Sequence, residues 1–259
     1  MDNVSDKCLH INSWSSIRYI YAFKEISLIK IKNSIFGYTS PLLEANLTLE
    51  KGNVYALVGK NGSGKTTFLQ SLAGNIPLLS GEIEIDGKSI KELSLKEKSV
   101  RIAFIETRFP QINFMTAFEF VSLGRFPHTG ALGRLNSNDT EKIEQSFTLL
   151  QIEKLKNKFI SEISDGEKQL LQVAKAIVQE TDVILLDEPM AFLDYSNKRI
   201  LVEKLVQISS ELNKCVLLSS HDIEICLDYK LPFLVVSIQK KTIELLENAS
   251  KEMILSNFK

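Results

Sequence analysis

GKNGSGKTT, residues 59–67, decides the reading of this chain. It matches the pattern G-x-x-x-x-G-K-[ST]. The apolar run VYALV (54–58) precedes it, and TFLQSLAG (67–74) follows with helical spacing and a glycine, Gly74, placed to end the helix. Strand, glycine-rich loop and helix together turn successive backbone N–H groups inward, where they cradle phosphate oxygens. Gly59, Gly62 and Gly64 permit the backbone conformations this requires, and Lys60, Asn61 and Ser63 complete the loop. Lys65 is placed to neutralise charge between β- and γ-phosphates, Thr66 to ligate Mg²⁺, and Thr67 to donate to a neighbouring phosphate oxygen. Four specified positions arise by chance in a chain of this length only about 1% of the time.

Phosphoryl transfer also needs an acid that holds the metal and a group that activates water. DVILLDEP (182–189) offers both: a continuous apolar run, as in a strand buried on both faces of a parallel sheet, ending in two carboxylates. Asp187 suits the metal. Glu188, one residue on, faces differently and suits a general base toward the γ-phosphate.

Outward from these motifs, ISLIKI (26–31) alternates as a half-buried strand should. ANLTLEKGNVYALVG (45–59) reads as two strands joined at Gly52-Asn53, and GEIEIDGKSI (81–90) as a hairpin turning at Asp86-Gly87. Both sections are expected to be antiparallel. Between Pro110 and Ile163 the pattern is helical and more polar. Asn138 followed by Glu141 predicts a helix start there, with Ile143, Phe147, Leu149 and Leu150 inward. In EKQLLQVAKAIVQE (167–180), Leu170, Ala174, Ile177 and Val178 share one helical face. A helix at about 196–212, a strand at Cys215–Ser219 and the pair His221-Asp222 complete an alternation that implies an α/β core. Residues 1–25, where Trp14, Tyr19, Tyr21 and Phe23 are broken up by serines, read as an irregular N-terminal extension.

Composition narrows the class. With 44% apolar and 24% charged residues, disorder and collagen-like repetition are excluded. Thirty-one basic against 32 acidic residues, a net charge of −1, give no electrostatic reason to expect nucleic acid or an anionic membrane surface as partner. Apolar runs such as Leu231–Val236 fall far short of the roughly 18 residues of a spanning helix. The acidic start, MDNVSDK, argues against a secretory signal. Cys8, Cys215 and Cys226, odd in number and far apart, read as reduced cytosolic thiols.

With these motifs in place, the chain resembles the ATP-binding cassette ATPases over about residues 28–235. ISDGEKQ (163–169) resembles that family's signature, commonly LSGGQ. Ser164 and Gly166 match the positions whose hydroxyl and backbone N–H contact a γ-phosphate held by the opposite subunit. Asp165 replaces a glycine and Glu167 a glutamine, and Ser164 with Glu167 also forms a capping box. Tyr38, in FGYTSP, resembles the aromatic that stacks on adenine. Asp194, in AFLD, resembles the loop residue that touches the opposing subunit. His221, in LLSSHD, resembles the histidine that bonds the γ-phosphate and the attacking water. The family usually carries a glutamine at the junction of core and helical insertion, contacting Mg²⁺ and the water. Aligning RIAFIET (101–107) puts Thr107 there, with Gln111 available to a shifted register. VSLGRFPHTGALGRLNSNDTEKIEQSF (121–147) resembles, more narrowly, importer ATPases for ferric siderophores, haem and cobalamin.

The resemblance implies an α/β P-loop NTPase core, a mixed sheet with flanking helices, carrying an antiparallel β-subdomain and a helical subdomain. Residues 26–259 would form the ATPase domain, with the helical part, about 110–166, inserted in the core. It implies ATP and Mg²⁺ as cofactors, with Thr66, Asp187 and Thr107 toward the metal and Lys65, Glu188 and His221 toward catalysis. Two copies would work as a head-to-tail homodimer, driving separate permease subunits from the cytoplasmic face of the cell membrane. An extracytoplasmic binding protein would deliver an iron chelate or corrinoid, and no nucleic acid is involved. Two other classes share the phosphate loop. A soluble cassette ATPase acting on DNA or ribosomes is disfavoured by the single phosphate loop, the lack of a long heptad insertion and the lack of a basic face. A nucleotide-dependent binding module with weak hydrolysis is suggested by Thr107, Asp165 and Glu167, and opposed by Lys65, Asp187, Glu188 and His221.

Overall fold

Period-two side-chain alternation explains the architecture. In a computed structural model, which describes residues 27–112, 114–130 and 133–258, the apolar runs around the two motifs are three adjacent parallel strands. These are β3 (Val54–Val58), β7 (Val183–Leu186) and β8 (Cys215–Ser219). Val54, Ala56, Val58, Ile184, Leu186, Val216 and Leu218 point into one apolar core. Tyr55, Leu57, Val183, Leu185, Cys215 and Leu217 point into another on the opposite face. A strand that must satisfy two cores reads as an unbroken apolar run, which is why these segments were recognisable. The thiols of Cys215 and Cys226 are free and buried, and burial pushes both up to about 12. The extension expected at residues 1–25, including Cys8, lies outside the described residues.

The described strands form one ten-stranded mixed sheet in the order β5-β4-β1-β2-β10-β9-β3-β8-β7-β6. The parallel part adds β6 (Ile102–Ile105) and β9 (Phe233–Ser237) to the central three; β10 (Thr242–Leu246) returns antiparallel to β9. The remaining strands, β1 (Ser27–Gly37), β2 (Pro41–Glu50), β4 (Ser80–Ile85) and β5 (Lys88–Ser89), form an antiparallel arm. One pairing joins arm to core, Thr242 against Glu44, with the Glu44 N–H donating to the Lys241 carbonyl at 2.7 Å. The β4–β5 hairpin turns at Asp86-Gly87 as expected; both residues have positive φ, 51° and 75°, the signature of the tight turn that suits twisted strands.

One expectation about pairing fails. β2 and β3 are joined by a short turn at Lys51-Gly52, yet they are not neighbours in the sheet. β2 pairs with β1 and β10, whereas β3 pairs with β8 and β9. A turn residue fixes a reversal, not a partner, and the fully apolar β3 goes where both of its faces are covered.

Helix α1 (Lys65–Leu72) covers one face of the sheet, and Phe68 meets Phe36 of β1 edge-on with ring centres 4.9 Å apart. Gly74, at φ 72°, stands just beyond its last turn, as expected. On the other face lie α5 (Asp165–Val178) and α6 (Tyr195–Glu211). Among the described residues between β6 and β7, the regular elements are helical apart from one isolated bridge, with α3 (Ala117–Ser122), α4 (Ser137–Leu149) and α5 packed together. Shorter helices α2 (Leu95–Ser99), α7 (Ile223–Asp228) and α8 (Lys251–Ser256) lie outside that insertion.

Two details of the insertion correct the sequence reading. α4 is capped by Asn136, two residues before the expected Asn138. Its side chain accepts from the Asp139 N–H at 2.9 Å, and the Asp139 carboxylate accepts from the Asn136 N–H at 3.0 Å. Asp139 wins because it is also the partner of buried Arg125, 2.9 Å away. α5, expected to bury one face, buries most of its circumference: Leu171, Val173 and Ala176 are fully enclosed, while Leu170 and Ile177 are only half-buried. It lies between the sheet and helices α3 and α4 of the insertion, so both flanks meet apolar partners.

Arg125 ties insertion to core. Beyond Asp139, it donates to the Val178 carbonyl at 2.6 Å and to Glu180 at 2.7 Å. The neighbouring Gln179 side chain donates to the carbonyls of Ser99 and Ile102, at 2.6 and 3.2 Å.

Candidate active site

The loop after β3 takes the shape that its glycines allow. Gly62 and Gly64 have φ of 74° and 98°, in the left-handed region that residues with a Cβ avoid. A Cβ on Gly64 would come within 2.7 Å of the Leu42 side chain and 2.8 Å of that of Leu43, so crowding adds to the torsional reason for glycine. Gly64 then caps α1, leaving the helix's first N–H groups and its positive end facing the loop. Lys65 is buried, and its Nζ donates to the carbonyls of Gly59 and Lys60 at 3.1 and 3.3 Å. Burial pulls its ammonium below the ordinary lysine range, and the charges of Glu188 and Asp187 oppose that shift.

Where β7 ends, parity places the two carboxylates apart. Asp187 continues the face shared by Val183 and Leu185, the α1 side. There its Oδ2 accepts from the Thr66 hydroxyl at 2.9 Å, and its Oδ1 accepts from the Ser219 hydroxyl at 2.7 Å. Asp187 is buried. Glu188 turns out of the sheet with φ 47°, an unusual backbone for a glutamate, and its N–H donates to the Ser219 oxygen at 2.7 Å. Its side chain, about one third exposed at 32%, meets His221 Nε2 at 2.9 Å. An ionised carboxylate only accepts, so Nε2 carries the hydrogen of that bond. Lys65 Nζ lies 3.5 Å from the same nitrogen. A cleft lined by Glu188, Met190, Lys198, His221 and Asp222 opens in front of this pair.

Of the residues expected from sequence, Lys65, Thr66, Asp187, Glu188 and His221 are thus brought into one connected cluster. Tyr38 lies in the β1–β2 connection, 68% exposed, its ring free to stack on a planar group. Ser164 caps α5, and its hydroxyl donates to Glu167 at 2.8 Å; that bond holds the Glu167 carboxyl below the usual carboxylate range. A Cβ added at Gly166 would come within 3.3 Å of the Leu193 side chain. Asp194 caps α6, accepting from the Asn197 N–H at 2.8 Å. Among the described residues, neither Ser164 nor Thr107 hydrogen-bonds to the cluster. Thr107 lines a separate cleft with Gln111, Asp165 and Phe192. Ser219 was not singled out in the sequence, although a hydroxyl closing an apolar strand beside the His221 motif was a visible signal.

Phosphate loop at a helix N-terminus, acid-ending parallel strand and mixed sheet define a P-loop nucleotide hydrolase. Comparison with known proteins makes this specific. A family model described as ABC transporter matches residues 42–191, more than half of the chain. An ABC transporter ATP-binding protein of Methanocaldococcus jannaschii is 34% identical over 202 residues, 77% of this chain and 70% of that protein. The petrobactin import ATP-binding protein YclP of Bacillus subtilis is 33% identical over 199 residues, 76% and 78% of the two chains. Among solved structures, cbiO1 of Clostridium perfringens, part of the ABC transporter complex cbiONQ, superposes with a TM-score of 0.76. It is 26% identical, over 86% of this chain and 89% of that one. The chain belongs to the ABC transporter family and is an ABC-type ATPase.

Proposed function

We propose that this chain is the ATP-hydrolysing motor of a membrane importer for iron complexes such as siderophores or haem, or for cobalamin. One observation carries the catalytic half: the unbroken hydrogen-bonded path from Thr66 through Asp187 and Ser219 to Glu188 and His221. The petrobactin-import relative and the 121–147 block support the importer half.

In this reading the backbone of residues 59–67 and the Lys65 ammonium hold the β- and γ-phosphates of ATP, and Tyr38 stacks on the adenine. The Thr66 and Asp187 oxygens, already 2.9 Å apart, form an all-oxygen set that fits Mg²⁺, an ion bound through one or two protein oxygens plus substrate phosphates. Mg²⁺ held there by Thr66 and Asp187 would supply neutralisation of the charge that develops on the phosphates during transfer. Glu188 takes the proton of the attacking water. His221 Nε2–H, on Glu188 in this structure, would turn to the γ-phosphate oxygens when ATP is bound and free the Glu188 carboxylate for the water. Thr107 stands at the junction with the insertion and reports the state of the site outward.

Residues 26–259 constitute one ATPase domain, with about 110–166 inserted in its core. Ser164 and Gly166 do not meet this chain's own cluster; they complete the site of a second copy, so the working unit is a head-to-tail homodimer. Among the described residues no helix is long and apolar enough to cross a membrane. Transport therefore requires separate permease subunits, docked against the insertion, and an external binding protein that presents the cargo. Affinity isolation of the full chain from detergent-solubilised native membranes tests this. A polytopic membrane protein should co-purify in stoichiometric amount. Recovery of an active ATPase with only nucleic-acid-associated or soluble partners would contradict the importer assignment.

A further inference from the structure

We infer that Ser219 is a positioning residue for ATP hydrolysis, one hydroxyl orienting both carboxylates of the site. This rests on the roles proposed above for Asp187 and Glu188.

β7 and β8 are parallel with Leu186 opposite Leu218, so the next rung sets Asp187 beside Ser219, and parity sends both side chains to the α1 face. Ser219 closes an otherwise apolar strand and is 0% exposed. A hydroxyl buried that deeply persists only if its hydrogen-bonding capacity is used. Here donor and acceptor are both used, and both on the catalytic segment. The hydroxyl hydrogen goes to Asp187 Oδ1, and the oxygen takes the Glu188 N–H, each at 2.7 Å.

The two bonds act on different things. With Thr66 on Oδ2 and Ser219 on Oδ1, the plane of the Asp187 carboxylate is set by hydroxyls from two separate elements, α1 and β8. The second bond anchors Glu188 in a left-handed conformation, which a residue with a side chain keeps only when its surroundings hold it. Glu188 Oε1 then meets His221, two residues beyond Ser219 on the same chain segment. Removing one hydroxyl therefore frees the metal-facing carboxylate and the base-bearing backbone together.

Groups that orient a ligand or base without touching the reacting atoms commonly contribute about 10–100-fold to metal affinity or activity. The test compares phosphate release by the full chain and by Ser219→Ala, Ser219→Val and Ser219→Thr across a Mg²⁺ titration. ATP-analogue binding and thermal unfolding are followed in parallel. Val and Thr are isosteric and differ only in the hydroxyl, so their comparison stands even if the Ala variant is destabilised. Ala and Val should lose roughly 10–100-fold in kcat and need more Mg²⁺ for half-maximal rate, with KM for ATP unchanged. Thr should recover most of both. Equal rates and equal Mg²⁺ dependence for Val and Thr would overturn the inference, as would a wild-type kcat in Ala. Glu188→Gln separates the two levels of the account. If it is inactive while Val matches Thr, only the role of Ser219 falls. If it hydrolyses ATP like wild type, the underlying assignment of Glu188 falls.

Discussion

Replacing Glu188 by glutamine isolates one chemical capacity. The amide has the same size, and its oxygen still accepts from His221 Nε2, the 2.9 Å contact of the native side chain. The backbone anchor to Ser219 runs through the Glu188 N–H and is untouched by the substitution. Thr66 and Asp187 keep their 2.9 Å bond, and Lys65 keeps its seat on the Gly59 and Lys60 carbonyls. What disappears is the ability to take a proton from water. Loss of a general base costs about 10²–10⁴ in rate, equivalent to about 3–5 kcal/mol of barrier. Turnover should fall by that factor while ATP binding survives, so the variant should retain nucleotide after rapid desalting and accumulate an ATP-bound dimer. Steady-state phosphate release at saturating Mg²⁺ and ATP measures the first, and gel filtration with and without ATP the second. A Glu188→Gln protein that turns over within a few-fold of wild type would refute the reasoning.

Two further expectations concern the joint between insertion and core. Arg125→Met removes a nearly fully buried cation from Asp139, Val178 and Glu180; breaking a buried pair costs about 3–5 kcal/mol. Asp139 keeps its Asn136 bond and Glu180 keeps Lys142, so the lower end applies; a fall in Tm of roughly 6–12 °C is expected by thermal scan. An unchanged Tm would show that the cluster is not a joint. The second expectation is acid lability. The Asn136 backbone N–H, and after it Arg125, hold the Asp139 carboxyl below its ordinary range. Stability from a depressed carboxyl is complete above its unfolded value, about 3.9, and is lost as pH falls through the lower folded value. Tm should therefore drop below about pH 4, and the drop should be shallower in Asp139→Asn.

How much of this was legible depended on how local each cause was. The phosphate loop and the β7 carboxylates are contiguous in sequence, and their chemistry is carried by residue type at fixed spacing. The Asp86-Gly87 hairpin was equally local. Pairing was not: β3 finds β8 and β9 more than 150 residues away, and nothing in Gly52-Asn53 says so. The start of α4 was misplaced by two residues because Asn136 and Asn138 are equally good caps in isolation. Only the distant Arg125 makes Asp139 the decisive partner. For Ser219 the difficulty was the same, since its partners lie 31 and 32 residues earlier in the chain and only register brings them together.

ATP hydrolysis by this chain requires that triphosphate be held by the loop around Lys65. The most direct measurement is equilibrium titration of Mg²⁺ and a fluorescent ATP analogue into the wild-type chain and into Lys65→Ala. Saturable binding by the wild type, abolished in the variant although its Tm is unchanged, is the predicted result. Equally tight binding by both proteins would contradict it.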